Sequence, residues 1–277
     1  MGVTEREKAA DAIAPGMSCE EAFGRIVEDC VIEIDLQLAV FLGSDHESGP
    51  HKTRVALRRL TTALDAFAPI LRRKPAAAAR AEAKAIFRLL GKVRDADVFL
   101  AAHGAGDRAL LRETVTLRET TRAALRSRKA VTFAPGLSRM LTAGGLLKEK
   151  PRGLAARAAP VGDMAAGALG KAWATALACG PSPAALEVEA LHDFRKDMKT
   201  LRYLSEFFAP VWPGDGWPPF REALQDLQDQ LGLLNDFANA RAKGRAPDPD
   251  KETRARTRAD ALWAELTAAG PFWTAAG

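Results

Sequence analysis

Two histidines in the sequence each begin a row of cations at helical spacing. The rows are His51, Arg54, Arg58 and His192, Arg195, Lys199. Residues three, four and seven positions apart share one face of an α-helix, so each row presents its charges together. Like charges four residues apart weaken a helix slightly, and a bound anion would offset that cost. The rows therefore indicate binding of a phosphate-bearing polyanion, with each histidine donating a hydrogen bond to a phosphate oxygen.

More cations accompany these rows. A second predicted helix adds a line of residues four positions apart, namely Arg80, Lys84, Arg88 and Lys92. Arg59, Lys196 and Arg202 lie beside the histidine rows and complete the set of candidate anion-binding residues. A third row, softened by Glu119, consists of Arg118, Arg122 and Arg126 with Lys129. For these additional rows, a solvated basic surface is an equally good interpretation.

Metal binding and catalysis are weaker interpretations of the paired histidines. The neighbouring cations repel a divalent ion, and no ligand set stands at metal-binding spacing. Phosphate transfer or hydrolysis would need a carboxylate, a nucleophile or a metal, and the carboxylates near the motifs are Asp95, Asp97 and Asp236. Walker, GxGxxG, HExxH and GxSxG motifs do not occur. We expect no metal, no cofactor and no enzymatic activity, while a purely structural histidine at a helix start stays open.

The charge distribution supports a polyanionic partner. The chain has 277 residues and a formal charge of +5, but residues 51–129 contain 19 Lys and Arg against 7 Asp and Glu. That block attracts a polyanion whatever its fold. Nucleic acid is the second candidate ligand, although aromatic residues form only 6% of the chain and none interleaves with the arginine rows as a stacking platform. An acidic protein partner for a plain helical interaction protein is a further alternative.

The elements that carry these residues are predicted to be helices. Alanine is abundant, β-branched residues are sparse, and apolar residues recur at helical spacing, as in Leu57, Leu60 and Leu64. Glycine and proline clusters divide the chain into about eight to ten helices. No secretory signal or membrane span is expected, and three cysteines without metal spacing indicate a reducing cytoplasm.

An internal repeat relates the two histidine rows. His51 and His192 stand 141 residues apart, and the same offset relates Phe67-Ala68-Pro69 to Phe208-Ala209-Pro210 and Leu90-Gly91 to Leu231-Gly232. Ten of 45 paired positions are identical from 51/192 to 95/236. We expect two homologous helical halves, each a four-helix bundle, in which the two glycines allow close helix packing.

The combined motifs resemble those of the CHAD domain, the conserved histidine α-helical domain. The resemblance runs from about Ser18 to the end and rests on the two histidine motifs and the Leu-Gly-x-x-x-Asp pair. It implies two pseudo-symmetric four-helix bundles, at about 18–145 and 150–277, within one domain over 18–277 that follows a tail at 1–17. It further implies a central basic channel or groove that binds inorganic polyphosphate without catalysis.

The resemblance also implies partners and a location. We expect polyphosphate-metabolising enzymes as further partners, nucleic acid as a weaker competitor, no membrane, and a cytoplasmic location that includes polyphosphate granules. Two positions depart from the family pattern, because Thr61 and Thr200 stand where a cation is usual. The line from Arg80 to Lys92 is a candidate compensation for those two missing charges.

Overall fold

The computed structural model describes residues 13–104, 106–126, 128–242 and 244–274. Ten α-helices and three short 3-10 turns contain most of these residues, which confirms the all-α class. An isolated β-bridge pairs Leu71 with Leu147. None of the helices there is both long and apolar enough to cross a membrane. The chain forms two compact units, Ser18–Ala159 and a unit made of residues 13–17 and 160–274.

Six α-helices lie in the part of the first unit that the structure describes. They are α1 Cys19–Gly43, α2 Ser48–Ala66, α3 Arg73–His103, α4 Arg108–Leu125, α5 Arg128–Thr142 and α6 Pro151–Ala158. Helix α2 contacts both α1 and α3, and α4 packs on α3. Ser18 begins α1 with a capping box, since its hydroxyl accepts the backbone N–H of Glu21 and its own N–H donates to the Glu21 carboxylate.

Helix α2 has one apolar and one cationic face. Leu57, Leu60 and Leu64 are fully buried in the core of the first unit. Burying a leucine side chain stabilises a fold by roughly 1.5–3 kcal/mol, so these residues fix which side of α2 turns inward. Arg54 and Arg58 are consequently held at the edge of the core, where both are half-buried.

The described residues of the second unit form four α-helices. They are α7 Val161–Leu177, α8 Val188–Phe208, α9 Trp217–Ala242 and α10 Pro249–Ala269. Helix α8 contacts α7 and α9, and α10 packs on α9. Aromatic rings fill much of this core, where Trp263 lies 5.8 Å from Trp173 and 5.2 Å from Phe194 between ring centroids.

The boundary between the units falls at Pro160, so α6 belongs to the first unit. Residues 13–17 belong to the second unit, where the backbone N–H of Val161 donates to the carbonyl of Met17. Residues 1–12 of the expected tail lie outside the described residues. The single domain over 18–277, the duplication and the central channel stay predictions.

The 141-residue offset relates helices of the two units. Shifted by this offset, α2 falls on residues 189–207, within the bounds of α8. Helix α3 falls on residues 214–244, which include all of α9, and α4 falls on residues 249–266, within the bounds of α10. Positions in the two units can therefore be compared one by one.

Candidate anion-binding site

Two arginines of the first histidine row share one aromatic ring. The Cζ atom of Arg54 lies 4.0 Å from the ring centroid of Phe87 in α3, and that of Arg58 lies 5.5 Å away. Nη1 of Arg54 also donates to the carbonyl oxygen of Phe87 at 2.9 Å. A guanidinium within about 6 Å of a ring centroid is attracted by the negative face of the ring. Phe87 thus holds two like charges side by side.

Arg54 has an incompletely compensated charge. Burial lowers its pKa, and the positive charges of Arg58 and Arg94 act in the same direction, while Asp95 opposes them. Within the described part of the chain, neither Arg54 nor Arg58 forms an ion pair with a carboxylate. An incoming anion would supply the missing negative charge to a fork of donors suited to phosphate.

The cationic line on α3 divides into two parts. Arg80 is half-buried and forms an ion pair with Asp65 at the end of α2. Lys84, Arg88 and Lys92 are exposed. The exposed three continue the positive charge along α3 past Phe87, so a linear anion could contact several of them at once.

Gly91 lies beneath the guanidinium of Arg54. A Cβ atom built on Gly91 would overlap Nη1 of Arg54 and lie 3.4 Å from its Cζ atom. The equivalent Gly232 has nothing within 4 Å of such a Cβ atom. The expected role in close helix packing is wrong for Gly232, which has open space around it among the described residues. At Gly91 the neighbouring helix α2 does come close, through the side chain of Arg54.

His51 and Arg59 differ in their surroundings. Helix α2 begins at Ser48, as the Ser48-Gly49-Pro50 sequence predicts, and places His51 on an exposed first turn. Arg59 instead hydrogen-bonds the thiol of Cys30 in α1, where burial raises the pKa of that thiol to about 12. Arg59 therefore lies apart from the pair of guanidinium groups on Phe87.

The second histidine row has closer polar and acidic neighbours. Nδ1 of His192 lies 3.2 Å from Oδ1 of Asn235. Lys196 donates to Asp193 at 2.6 Å, and this hydrogen bond lowers the pKa of Asp193. The ionised Asp193 thus offsets the positive charge of Lys196. Arg195 and Lys199 are half-buried on the same helix.

Arg202 belongs to a polar network in the second unit. Nη1 of Arg202 donates to Gln225 at 2.7 Å, and Gln225 donates to Asp229 at 2.8 Å. Nε of Arg202 also lies 3.4 Å from the carboxylate of Glu206. These partners compete with an external anion for the guanidinium of Arg202.

The third row of arginines on α4 serves the first unit internally. Arg118 makes two 2.7 Å hydrogen bonds to the carboxylate of Asp97 and donates to the carbonyl of Asp45 at 2.8 Å. Arg122 donates to the carbonyl of Phe41 at 2.9 Å. Arg126 donates to the carbonyl of Leu42 at 3.0 Å. These hydrogen bonds are made to carbonyl groups at and just after the carboxyl end of α1. The expected solvated or anion-binding row is therefore wrong for Arg118 and Arg122, whereas Arg126 is exposed.

The candidate catalytic carboxylates are dispersed. The carboxylate of Asp97 is buried against Arg118, whereas Asp95 and Asp236 are exposed on α3 and α9. In the described ranges, no three His, Cys, Asp or Glu side chains come together as a metal-binding group. What the first-unit site offers chemically is positive charge and hydrogen-bond donors.

Phe87 is the site residue that sequence inspection missed. It lies three positions after Lys84 and four before Gly91, which places it on the same face of α3 as both. That spacing could have shown an aromatic residue within the cationic line. The sequence could not show which ring face the arginines of α2 would cover, because that depends on how α2 packs on α3.

Comparisons with known proteins identify the family. A CHAD domain model matches residues 25–245. The chain therefore belongs to the CHAD domain family.

Solved structures share the fold. The crystal structure of the CHAD domain from the plant Ricinus communis is similar with a TM-score of 0.69 at 20% identity, covering 96% of this chain and 95% of that one. PptA from Streptomyces chartreusis is similar with a TM-score of 0.54 at 17% identity, covering 91% and 96%. A search of curated proteins found no match. At these identities, the likeness concerns the fold.

Proposed function

We propose that this chain is a non-catalytic module that binds inorganic polyphosphate. The observation that carries the proposal is the pair of half-buried guanidinium groups, Arg54 and Arg58, which share Phe87 and form no ion pair with a described carboxylate. The CHAD family is associated with polyphosphate, and this chain belongs to that family. The exposed cations Lys84, Arg88 and Lys92 extend the proposed site along α3.

Binding would depend on many charge-assisted hydrogen bonds. Each arginine presents donors in a planar fork that matches two phosphate oxygens, and each lysine adds a point charge. A linear chain of phosphates can pass from Arg54 and Arg58 to Lys84, Arg88 and Lys92 on α3. Such binding weakens steeply with salt, because the polyanion releases its counterions when it binds.

The ring of Phe87 favours polyphosphate over single-stranded nucleic acid. Proteins that hold single strands commonly stack bases on exposed aromatic faces. Here the Arg54 guanidinium lies 4.0 Å from the ring centroid, so Phe87 supports cations and offers that face to no base. Nucleic acid is accordingly expected to compete only through its backbone charge.

The proposal includes a cellular setting. We place the protein in the cytoplasm and on polyphosphate granules, with polyphosphate-metabolising enzymes as further partners. His51 in the first unit, and His192, Arg195, Lys196, Lys199 and Arg202 in the second, are each assigned supporting contacts to polyphosphate within their own unit.

Binding measurements across a salt series test the proposal. Long-chain polyphosphate and DNA of matched charge would be titrated into the wild type and into a variant combining Arg54→Ala, Arg58→Ala, Arg195→Ala and Lys199→Ala. A matched control removes four exposed cations elsewhere, combining Arg73→Ala, Lys74→Ala, Lys150→Ala and Arg152→Ala. Circular dichroism checks that each variant stays helical.

The expected result is tight polyphosphate binding that the site variant loses and the control variant retains, with weaker DNA binding throughout. Incubation of the wild type with polyphosphate should release no orthophosphate. Equal losses in the two variants, or equal affinity for the two polymers, would overturn the proposal in favour of a nonspecific basic surface. Orthophosphate release that the site variant abolishes would assign an enzymatic activity instead.

A further inference from the structure

We infer that Gly91 positions the guanidinium of Arg54 and thereby sets the polyanion affinity of the first unit. The inference rests on the proposed function for its ligand. It concerns a residue without a side chain, whose contribution is the space it leaves above α3. The second unit has the same glycine but a different arrangement above it.

The space above Gly91 is filled by one group. The three non-local heavy atoms nearest to a Cβ atom built on Gly91 are Nη1, Cζ and Nη2 of Arg54, all within 4 Å. All three belong to the end of a flexible side chain. A methyl group at position 91 would therefore displace the guanidinium while leaving the packing of α2 on α3 in place.

Displacement would remove two contacts that orient Arg54. The guanidinium occupies the space above Gly91 while it donates to the Phe87 carbonyl at 2.9 Å and lies over the Phe87 ring. Charge-assisted hydrogen bonds to phosphate depend on the direction of the planar fork. A guanidinium that loses its anchor must be ordered again when the anion binds, and that ordering lowers affinity.

The second unit provides a matched control. Gly232 stands 141 residues after Gly91 and likewise follows a buried leucine, Leu231. A Cβ atom at Gly232 meets no atom within 4 Å, so Arg195, the equivalent of Arg54, does not cover this glycine. Replacing either glycine by alanine makes the same chemical change in a helix, and only the change at Gly91 affects an arginine.

The test compares Gly91→Ala with Gly232→Ala. We expect Gly91→Ala to bind long-chain polyphosphate about tenfold more weakly than the wild type, as the loss of one oriented charge-assisted hydrogen bond implies. Gly232→Ala should bind like the wild type. Circular dichroism should show that both variants stay helical, because alanine favours a helix more than glycine does.

A double-mutant cycle shows whether Gly91 acts through Arg54. If it does, Gly91→Ala should cause no further loss in a protein that already contains Arg54→Ala. A second readout is the NMR signal of the Arg54 side-chain Nε–H group, assigned through an Arg54→Lys variant. The Phe87 ring current should shift this signal in the wild type, and Gly91→Ala should remove the shift.

The outcomes separate this inference from the proposed function. Wild-type affinity in Gly91→Ala, or a loss that simply adds to that of Arg54→Ala, would overturn the inference while polyphosphate binding stands. A wild type that does not bind polyphosphate would overturn the proposed function and the assignment of affinity to Gly91. In that case, an unchanged Arg54 signal in Gly91→Ala would also overturn the positioning role, and a changed signal would support it.

Discussion

In the two units, different side chains at equivalent positions hydrogen-bond the carbonyl groups at the end of a neighbouring helix. Arg118 and Arg122 on α4 correspond to Ala259 and Trp263 on α10. Arg122 donates to the Phe41 carbonyl near the end of α1 at 2.9 Å. Nε1 of Trp263 donates at 2.9 Å to the carbonyl of Gly180, just beyond the end of α7. An arginine and a tryptophan thus satisfy similar carbonyls, but only the arginine brings a charge that needs compensation.

The same contrast occurs at the candidate anion-binding site. Phe87 in α3 corresponds to Gln228 in α9. Phe87 supports the guanidinium groups of Arg54 and Arg58, whereas Gln228 donates to the Met198 carbonyl at 2.8 Å. The comparison teaches that equivalent helix pairs do not give their cations equal surroundings, since a ring supports the cations of the first unit and polar side chains replace it in the second.

The largest expected effect is a loss of stability when the buried ion pair of Arg118 and Asp97 in the first unit is broken. Arg118→Ala would leave the carboxylate of Asp97 buried without its partner, because the two side chains are only 7% and 8% exposed. Breaking a buried ion pair on one side commonly costs about 3–5 kcal/mol. We expect a loss of that size in the free energy of unfolding, measured by urea denaturation.

The matched control for that variant removes both partners. Arg118→Met combined with Asp97→Leu should recover much of the lost stability, since no unpaired charge remains. Wild-type stability in Arg118→Ala would contradict the view that the first unit depends on this ion pair where the second unit has Ala259 and Ala238.

The next expected effect is a difference in polyphosphate affinity between variants of the first and of the second histidine row. Arg54→Ala with Arg58→Ala should weaken polyphosphate binding about 100-fold, or roughly 2.7 kcal/mol, because each removes a charge-assisted contact. Arg195→Ala with Lys199→Ala should have a clearly smaller effect, because Asp193 and Glu206 lie beside the neighbouring cations Lys196 and Arg202 and make this stretch of α8 less positive. Isothermal titration calorimetry at one fixed salt concentration measures both. Equal losses of affinity in the two variants would contradict the expectation that the first unit contributes more to polyphosphate binding than the second.

Replacing Phe87, which lies beneath Arg54 and Arg58, should lower polyphosphate affinity by a still smaller factor. Phe87→Gln places the residue of the second unit into the first and removes the ring shared by Arg54 and Arg58. A cation–π contact at a partly exposed site contributes about 0.5–2 kcal/mol, so polyphosphate affinity should fall by up to about 30-fold. Phe87→Tyr, which keeps the ring, should bind like the wild type. If Phe87→Tyr fell as far as Phe87→Gln, the ring would not be the cause.

The smallest expected effect is a gain of polyphosphate affinity from a substitution in the second unit. Asp229→Asn removes a negative charge from the network that holds Arg202 through Gln225. We expect polyphosphate affinity to rise about twofold to fivefold, because the local potential becomes more positive. The exposed Asp250→Asn serves as a charge-matched control. An equal gain in the control would show that net charge alone accounts for the change.

Local patterns predicted the helices well. The leucines at 57, 60 and 64 indicated the buried face of α2, and all three are fully buried. The sequence Ser48-Gly49-Pro50 indicated the start of that helix, which begins at Ser48. Such features depend on residues within one or two turns of each other, so they can be recognised without knowledge of the fold.

Long-range partners could not be predicted in this way. Arg118, Arg122 and Arg126 have the same spacing as a binding row, yet they hydrogen-bond groups more than 20 positions away in the chain. Spacing places side chains on a common face, but it does not say whether that face meets solvent or another helix. The role of Gly91 was missed for the same reason.

The sequence by itself determined the all-α class, the cationic rows and the family of this chain, because these follow from residue types and their intervals. Tertiary structure decided which cations stay available for a ligand. Packing of α2 on α3 put Arg54 over Phe87 and Gly91, and packing of α9 beside α8 gave Arg202 an internal partner. Charge is a property of a residue, whereas its compensation depends on neighbours that only the folded chain brings together.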